Sequence, residues 1–79
     1  MMERMPTERE VQRIRTIYPT GTRIELIAMD DPWTSLKKGD QGYSMGVDDM
    51  GQIMMKWDNG STLSLIPGED RFRKIEEVK

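Results

Sequence analysis

The sequence contains no cysteine and no histidine. Thiol nucleophiles, the common zinc ligand sets and every triad that uses an imidazole base are therefore excluded. The lack of cysteine also removes the disulfides with which small secreted domains offset a thin core, so a reducing, cytoplasmic setting is expected. Long hydrophobic runs are missing as well. The longest, Leu26 to Met29, falls far short of the roughly 20 residues that cross a bilayer. Met1-Met2-Glu3-Arg4-Met5 is broken by charge before a leader-like run can form, so neither export nor membrane insertion is expected. Nor is there an excess of positive charge, since the net charge is -2. Residues 1 to 16 carry four arginines against three glutamates, and the remainder carries a net -3. Neither part has the surplus of Lys and Arg that tight, sequence-independent phosphate binding requires.

What is present fits one small folded domain. The chain has 79 residues, 35% of them hydrophobic and 33% charged, and its apolar residues recur in patterns that disorder would not need. A domain of this size buries only about 60% of its unfolded surface, which leaves little wall for an enclosed pocket. Binding on a surface or in a shallow groove is expected, and no cofactor. Without His, acid-base work would fall to carboxylates, lysines or tyrosines that a thin core does little to perturb, so the chain is read as non-enzymatic.

Thr7 and Glu10 have the spacing of a capping box, and Val11, Ile14 and Tyr18 form one helical stripe. A short helix over Thr7 to Tyr18 follows, ended by Pro19 and Gly21. A helix this short needs a partner surface; Met54 or Ile27 of the same chain, or a second copy, are the candidates. Residues 1–17 are thus an N-terminal extension and 18–79 a β domain. From Arg23 to Met29 the period becomes two, with Ile24, Leu26 and Ala28 on one face. Residues 30–39 read as a long loop, and Gln41 to Val47 as a second strand. Its Tyr43, Met45 and Val47 lie opposite Gly42, Ser44 and Gly46, where the glycines mark a bend or bulge. Ile53, Met55 and Trp57 form an inner stripe, Asp58-Asn59-Gly60 a tight hairpin with positive φ angles, and Leu63 and Leu65 continue the inner face on a returning strand. After Pro67-Gly68-Glu69-Asp70, Phe72 to Ile75 forms a last strand. The expected fold is mainly β, a small five-stranded SH3-like barrel with a short N-terminal α-helix; the OB-fold is the competing five-stranded barrel.

Several ordered motifs carry a family resemblance: Tyr18-Pro19-Thr20-Gly21-Thr22-Arg23-Ile24-Glu25-Leu26-Ile27, Met29-Asp30-Asp31-Pro32, Gly46-Val47-Asp48-Asp49, Gly51-Gln52-Ile53, Trp57-Asp58-Asn59-Gly60-Ser61 and Leu65-Ile66-Pro67-Gly68. Over residues 18 to 75 the chain resembles the bacterial family called domain of unknown function 4314. The resemblance implies a compact β-barrel and a small intracellular bacterial protein, often associated with mobile elements or phage. It assigns no activity, and the helix before Tyr18 lies outside it. Lys38-Gly39-Asp40-Gln41-Gly42 is also similar, more loosely, to the start of a KOW motif.

Among candidate site residues, Trp33 in the long loop is either a loop anchor or a contact aromatic. Trp57 is read as core. Asp30-Asp31 and Asp48-Asp49 lack the ligand spacing of a calcium loop and are read as turn residues, so no metal is expected. The methionines Met29, Met45, Met50, Met54 and Met55 suit an adaptable contact surface or ordinary packing. The expected binding groove lies between the 30–39 loop, the Asp48 to Gly51 turn and the Pro67 to Arg71 break, with Asp31, Trp33, Lys37, Lys38, Asp49, Met50 and Arg71 as its residues. A protein or peptide is the favoured partner, and the chain itself is expected to be a monomer or weak homodimer. The alternative is a nucleic-acid accessory in which Lys37, Lys38 and Lys56 contact phosphate and Trp33 stacks on a base.

Overall fold

A computed structural model describes residues 6–29 and 34–75 of the chain. The helix α1 spans Glu8–Ile17, with Thr7 as its N-cap. The Glu10 amide donates to the Thr7 hydroxyl at 3.1 Å and the Thr7 amide to the Glu10 carboxylate at 2.9 Å, so the capping box closes in both directions. At the other end the Lys74 ammonium donates to the Ile17 carbonyl at 3.1 Å, a cation placed at the negative pole of the helix.

Four strands follow: β1 (Arg23–Ala28), β2 (Gln41–Val47), β3 (Ile53–Trp57) and β4 (Arg71–Lys74). They form one antiparallel sheet in the order β3-β2-β1-β4. The mainly β fold with one short helix is as expected, but the sheet is open and four-stranded, not a closed five-stranded barrel. The segment expected to return as a strand touches β3 through a single isolated bridge, Ile53 to Leu65.

Local side-chain bonds account for the missing strand. Asn59 accepts from the Ser61 amide at 2.9 Å, Ser61 Oγ accepts from the Leu63 amide at 3.2 Å, and the Trp57 indole donates to the Leu63 carbonyl at 2.8 Å. Both backbone groups of Leu63 are thus taken by side chains, in competition with a ladder to β3. Leu63 is exposed, against expectation, whereas Leu65 is fully buried. The turn itself is tight: Gly60 N–H donates to Trp57 C=O and Trp57 N–H to Ser61 C=O, both at 2.9 Å. Of its residues only Gly60 has positive φ, at 96°, so Asn59 does not share that role.

On β2 the expected alternation holds as far as the bulge, and it is the small residues that face the core. Gly42 and Ser44 point inward and Tyr43 and Met45 outward; a bulge between Ser44 and Gly46 then turns Val47 inward. Gly42 is inside because nothing larger fits: a Cβ there would lie 2.6 Å from the Lys56 carbonyl oxygen and 2.8 Å from Trp57 Cα. Ser44 is fully buried yet satisfied, donating to Tyr18 C=O and accepting from Gly46 N–H, each at 3.1 Å. A second bulge, between Leu26 and Ala28, leaves Ala28 exposed where the alternation places it inside.

The core collects Ile24, Leu26, Ile53, Met55, Trp57 and Leu65 around the inner face, with Leu36 from the loop and Val11 from α1. Helix α1 sits on this side and not on Met54 or Ile27. Val11 and Ile14 pack over Gly51, whose φ of 81° turns the chain there, and Tyr18 meets Phe72 edge-on with ring centres 5.5 Å apart. The helix therefore packs on its own sheet, and its apolar stripe helps close the open inner face.

Candidate functional site

Antiparallel connectivity separates the expected groove residues. The described part of the first long loop, residues 34–40, joins the end of β1 to the start of β2, while the Asp48 to Gly51 turn follows the far end of β2. Six steps along β2 put about 20 Å between these places. Lys37 and Lys38 are exposed at the first; Lys37 pairs with Asp40 at 3.7 Å, within a turn closed by Asp40. Arg71 is exposed near that same end, opposite Ala28. Asp49 and Met50 are exposed at the other end, where Asp49 accepts from Arg15 at 3.1 Å. Asp31 and Trp33 lie outside the described residues, as does the pair Asp30-Asp31. Asp48 is a turn residue, its Oδ1 accepting from the amides of Met50 and Gln52 at 2.9 Å each. Among the described residues no group of carboxylates is placed to hold a metal ion.

Among the described residues, several depressions of the surface lie along α1. One of about 300 Å³ is bounded by Arg15, Tyr18, Pro19, Thr20, Gly46 and Val47. Another, of about 270 Å³, runs between the helix and Pro67. Both are open to solvent.

A different surface brings apolar and charged groups together. On the outer face of the sheet Tyr43, Met45 and Met54 are 48%, 51% and 39% exposed. Tyr43 occupies a central strand, between Arg23 on β1 and Lys56 on β3 in the same cross-strand row. Met54 pairs with Gly46 across the bulge, which brings it beside Met45. The Arg23 guanidinium lies 4.5 Å from the centre of the Tyr43 ring, a cation-π contact. It is fixed there by Asp58, which accepts from Nη1 at 3.0 Å and from Nη2 at 2.5 Å.

This bidentate pair lowers the Asp58 carboxyl below its ordinary value and raises Arg23 further. A second pair, Arg73 to Glu25 at 2.6 Å, extends the charged border of the face toward β4. Lys56 makes no ion pair among the described residues.

Alternation alone does not mark Tyr43 as a surface residue, because it separates the two faces of β2 without saying which one is inner. The signal that finds it is steric. Gly42 and Ser44 are small residues opposite Trp57 and Met55, and a sheet that already holds two large inner side chains has room only for small ones across from them.

One family model matches residues 7–75, starting at the N-cap Thr7. The chain belongs to this family, described as domain of unknown function (DUF4314). The DUF4314 match takes in α1, which the sequence motifs from Tyr18 onward left outside, and this agrees with the burial of Val11 in the common core. No curated protein and no solved structure matches the chain. No helix among the described residues is long and apolar enough to cross a membrane.

Proposed function

We propose that this DUF4314 chain is a non-enzymatic interaction module that docks a protein or peptide on the outer face of its sheet. The observation that carries the reading is the cluster of Tyr43, Met45 and Met54, exposed side by side on a rigid sheet and bordered by Arg23 and Lys56. Aromatic and methionine side chains supply large contact area with little polar desolvation, and Arg at the margin is typical of protein contact surfaces. The exposed apolar area, on the order of 300 Å², suits a short peptide or a transient partner, not a permanent dimer, which takes about 800 Å² a side.

The nucleic-acid alternative has Lys56 opposite Tyr43 in its favour. Against it, one face of the Tyr43 ring is covered by a guanidinium, where a base would stack, and Asp58 places a carboxylate on that guanidinium. The meander β1-β2-β3 with β4 returning to β1 is consistent with an SH3-like lineage whose last closure is incomplete.

A photo-crosslinking residue at position 45 in the cell tests the proposal. Discrete protein adducts that disappear with Tyr43→Ser support it. Adducts to nucleic acid, or none that depend on Tyr43, overturn it. A salt titration with single-stranded DNA and RNA is the companion measurement: affinity falling steeply with salt would favour the alternative.

A further inference from the structure

The two edges of the sheet are unlike. Along β3, the outer edge receives Leu65 and Ser61: Ile53 and Leu65 exchange hydrogen bonds at 2.9 Å, and Trp57 donates to Ser61 C=O. Along β4 no described segment lies on the edge, and α1 makes no backbone approach to that strand.

The hydrogen-bond register says which backbone groups of β4 face outward. Ile75 N–H donates to Arg23 C=O at 2.9 Å, so 23 and 75 form a bonded pair. Two residues along, Glu25 and Arg73 face each other in the same phase. Bonded and non-bonded pairs alternate in an antiparallel ladder, so the N–H and C=O of Phe72 and Lys74 point away from β1, to the free edge. The phase of the other side agrees: Leu26 N–H donates to Asp40 C=O and Ser44 N–H to Thr22 C=O, which directs the even-numbered residues of β1 to β2.

That edge is cationic. Three of the four residues of β4, Arg71, Arg73 and Lys74, are positively charged and exposed, in a chain whose net charge is -2. Glu25 offsets Arg73, while Arg71 makes no ion pair among the described residues. A second copy of the chain is disfavoured as the occupant, because β4 against β4 would set arginine and lysine side chains against one another.

From the open register and the charge we infer that β4 accepts an acidic, extended peptide segment as a fifth strand, by β-strand addition. The backbone groups of Phe72 and Lys74 supply the ladder. Arg71 and the neighbouring cations select glutamate or aspartate in the added strand. This goes beyond the outer-face reading and rests on a different strand, so either can fail without the other.

The test uses the full chain, labelled with nitrogen-15, and a capped peptide that alternates glutamate and valine. At about 1 mM peptide, near half-saturation for a Kd of about 1 mM, the amides of Phe72 and Lys74 should shift and their exchange should slow by about twofold, rising as more peptide is added. Replacing glutamate by lysine in the peptide, or N-methylating the amides that face β4, should abolish the effect. Arg71→Glu should weaken binding by about threefold or more while leaving the fold intact, and Arg71→Lys should restore most of it.

The inference is overturned by the absence of any change at Phe72 and Lys74. Equal binding of the lysine or N-methylated peptide also overturns it. Shifts confined to Tyr43, Met45 and Met54 would refute the edge site while supporting the outer face.

Discussion

The inner and outer faces of the same sheet are held by different physics. Inside, Trp57, Ile24, Leu26, Ile53 and Leu65 are almost wholly removed from water, and Gly42, against the backbone of Lys56 and Trp57, has no room for a side chain. Outside, Tyr43 and Met45 keep about half their surface in water, and order comes from paired charges, Arg23 with Asp58 and Arg73 with Glu25. Close packing penalises the loss or gain of single methylenes, whereas exposed ion pairs contribute little to stability. Substitutions inside should therefore cost far more stability than those outside, and function is free to reside on the outer face.

The sharpest break in this contrast is Trp57→Ala. It empties the largest fully buried side chain and removes the indole bond that holds the Leu63 carbonyl. A loss of about 3 to 5 kcal/mol is expected, enough to unfold so small a domain. Circular dichroism and amide dispersion read it directly. A folded variant with native dispersion would mean that the inner face is not what stabilises the sheet. Trp57→Phe keeps most of the volume without the indole bond and should fall between the two.

Two glycine substitutions separate packing from backbone conformation. Gly42→Ala puts a Cβ against the backbone of β3, which cannot move without disturbing the ladder, so about 1 to 3 kcal/mol should be lost. A Cβ at Gly60 would meet no atom within 4 Å, but Gly60→Val forces a β-branched residue to a φ of 96°. That conformation costs about 1 to 2 kcal/mol, without any packing term. Urea denaturation should rank wild type above Gly60→Val, with Gly42→Ala at or below it. An unperturbed Gly42→Ala would show that β2 and β3 have room between them for a methyl group.

The same contrast explains what could be read in advance. The Thr7 capping box, the helix and the strict alternation of β3 are local patterns, and each was legible. The interior of β2 was not, because its inner residues Gly42 and Ser44 are small and Tyr43 and Met45 outside are large, so alternation alone does not tell which face is buried. The fifth strand was overestimated because side chains of Asn59, Ser61 and Trp57 occupy backbone groups that a strand ladder would need, and alternation carries no trace of those bonds. The candidate site is legible only in part: the methionines point to a contact surface, but the groove expected between the 30–39 loop, the Asp48 to Gly51 turn and the Pro67 to Arg71 break spans both ends of the sheet. Strand direction puts Lys38 and Asp49 at opposite ends of β2.

The smallest expected effect tests the outer face on its own terms. The Asp58 carboxyl, held by Arg23, titrates below its ordinary value of 3.8, while Arg23 stays charged throughout. A carboxylate whose pKa is lower in the folded chain contributes stability that is fully present above the unfolded value. It is lost as pH falls through the folded value. The affected window is therefore acid, below about pH 4. Asp58→Asn removes this contribution, so its melting temperature should lie slightly below wild type at neutral pH and the two curves should converge in acid. Because the Asp58 side chain is more than half exposed, the neutral-pH offset should also shrink with added salt. An offset as large as that of Gly42→Ala would erase the distinction between the faces. An offset independent of both pH and salt would assign Asp58 a role through shape, with Arg23 held over Tyr43 by packing and not by charge.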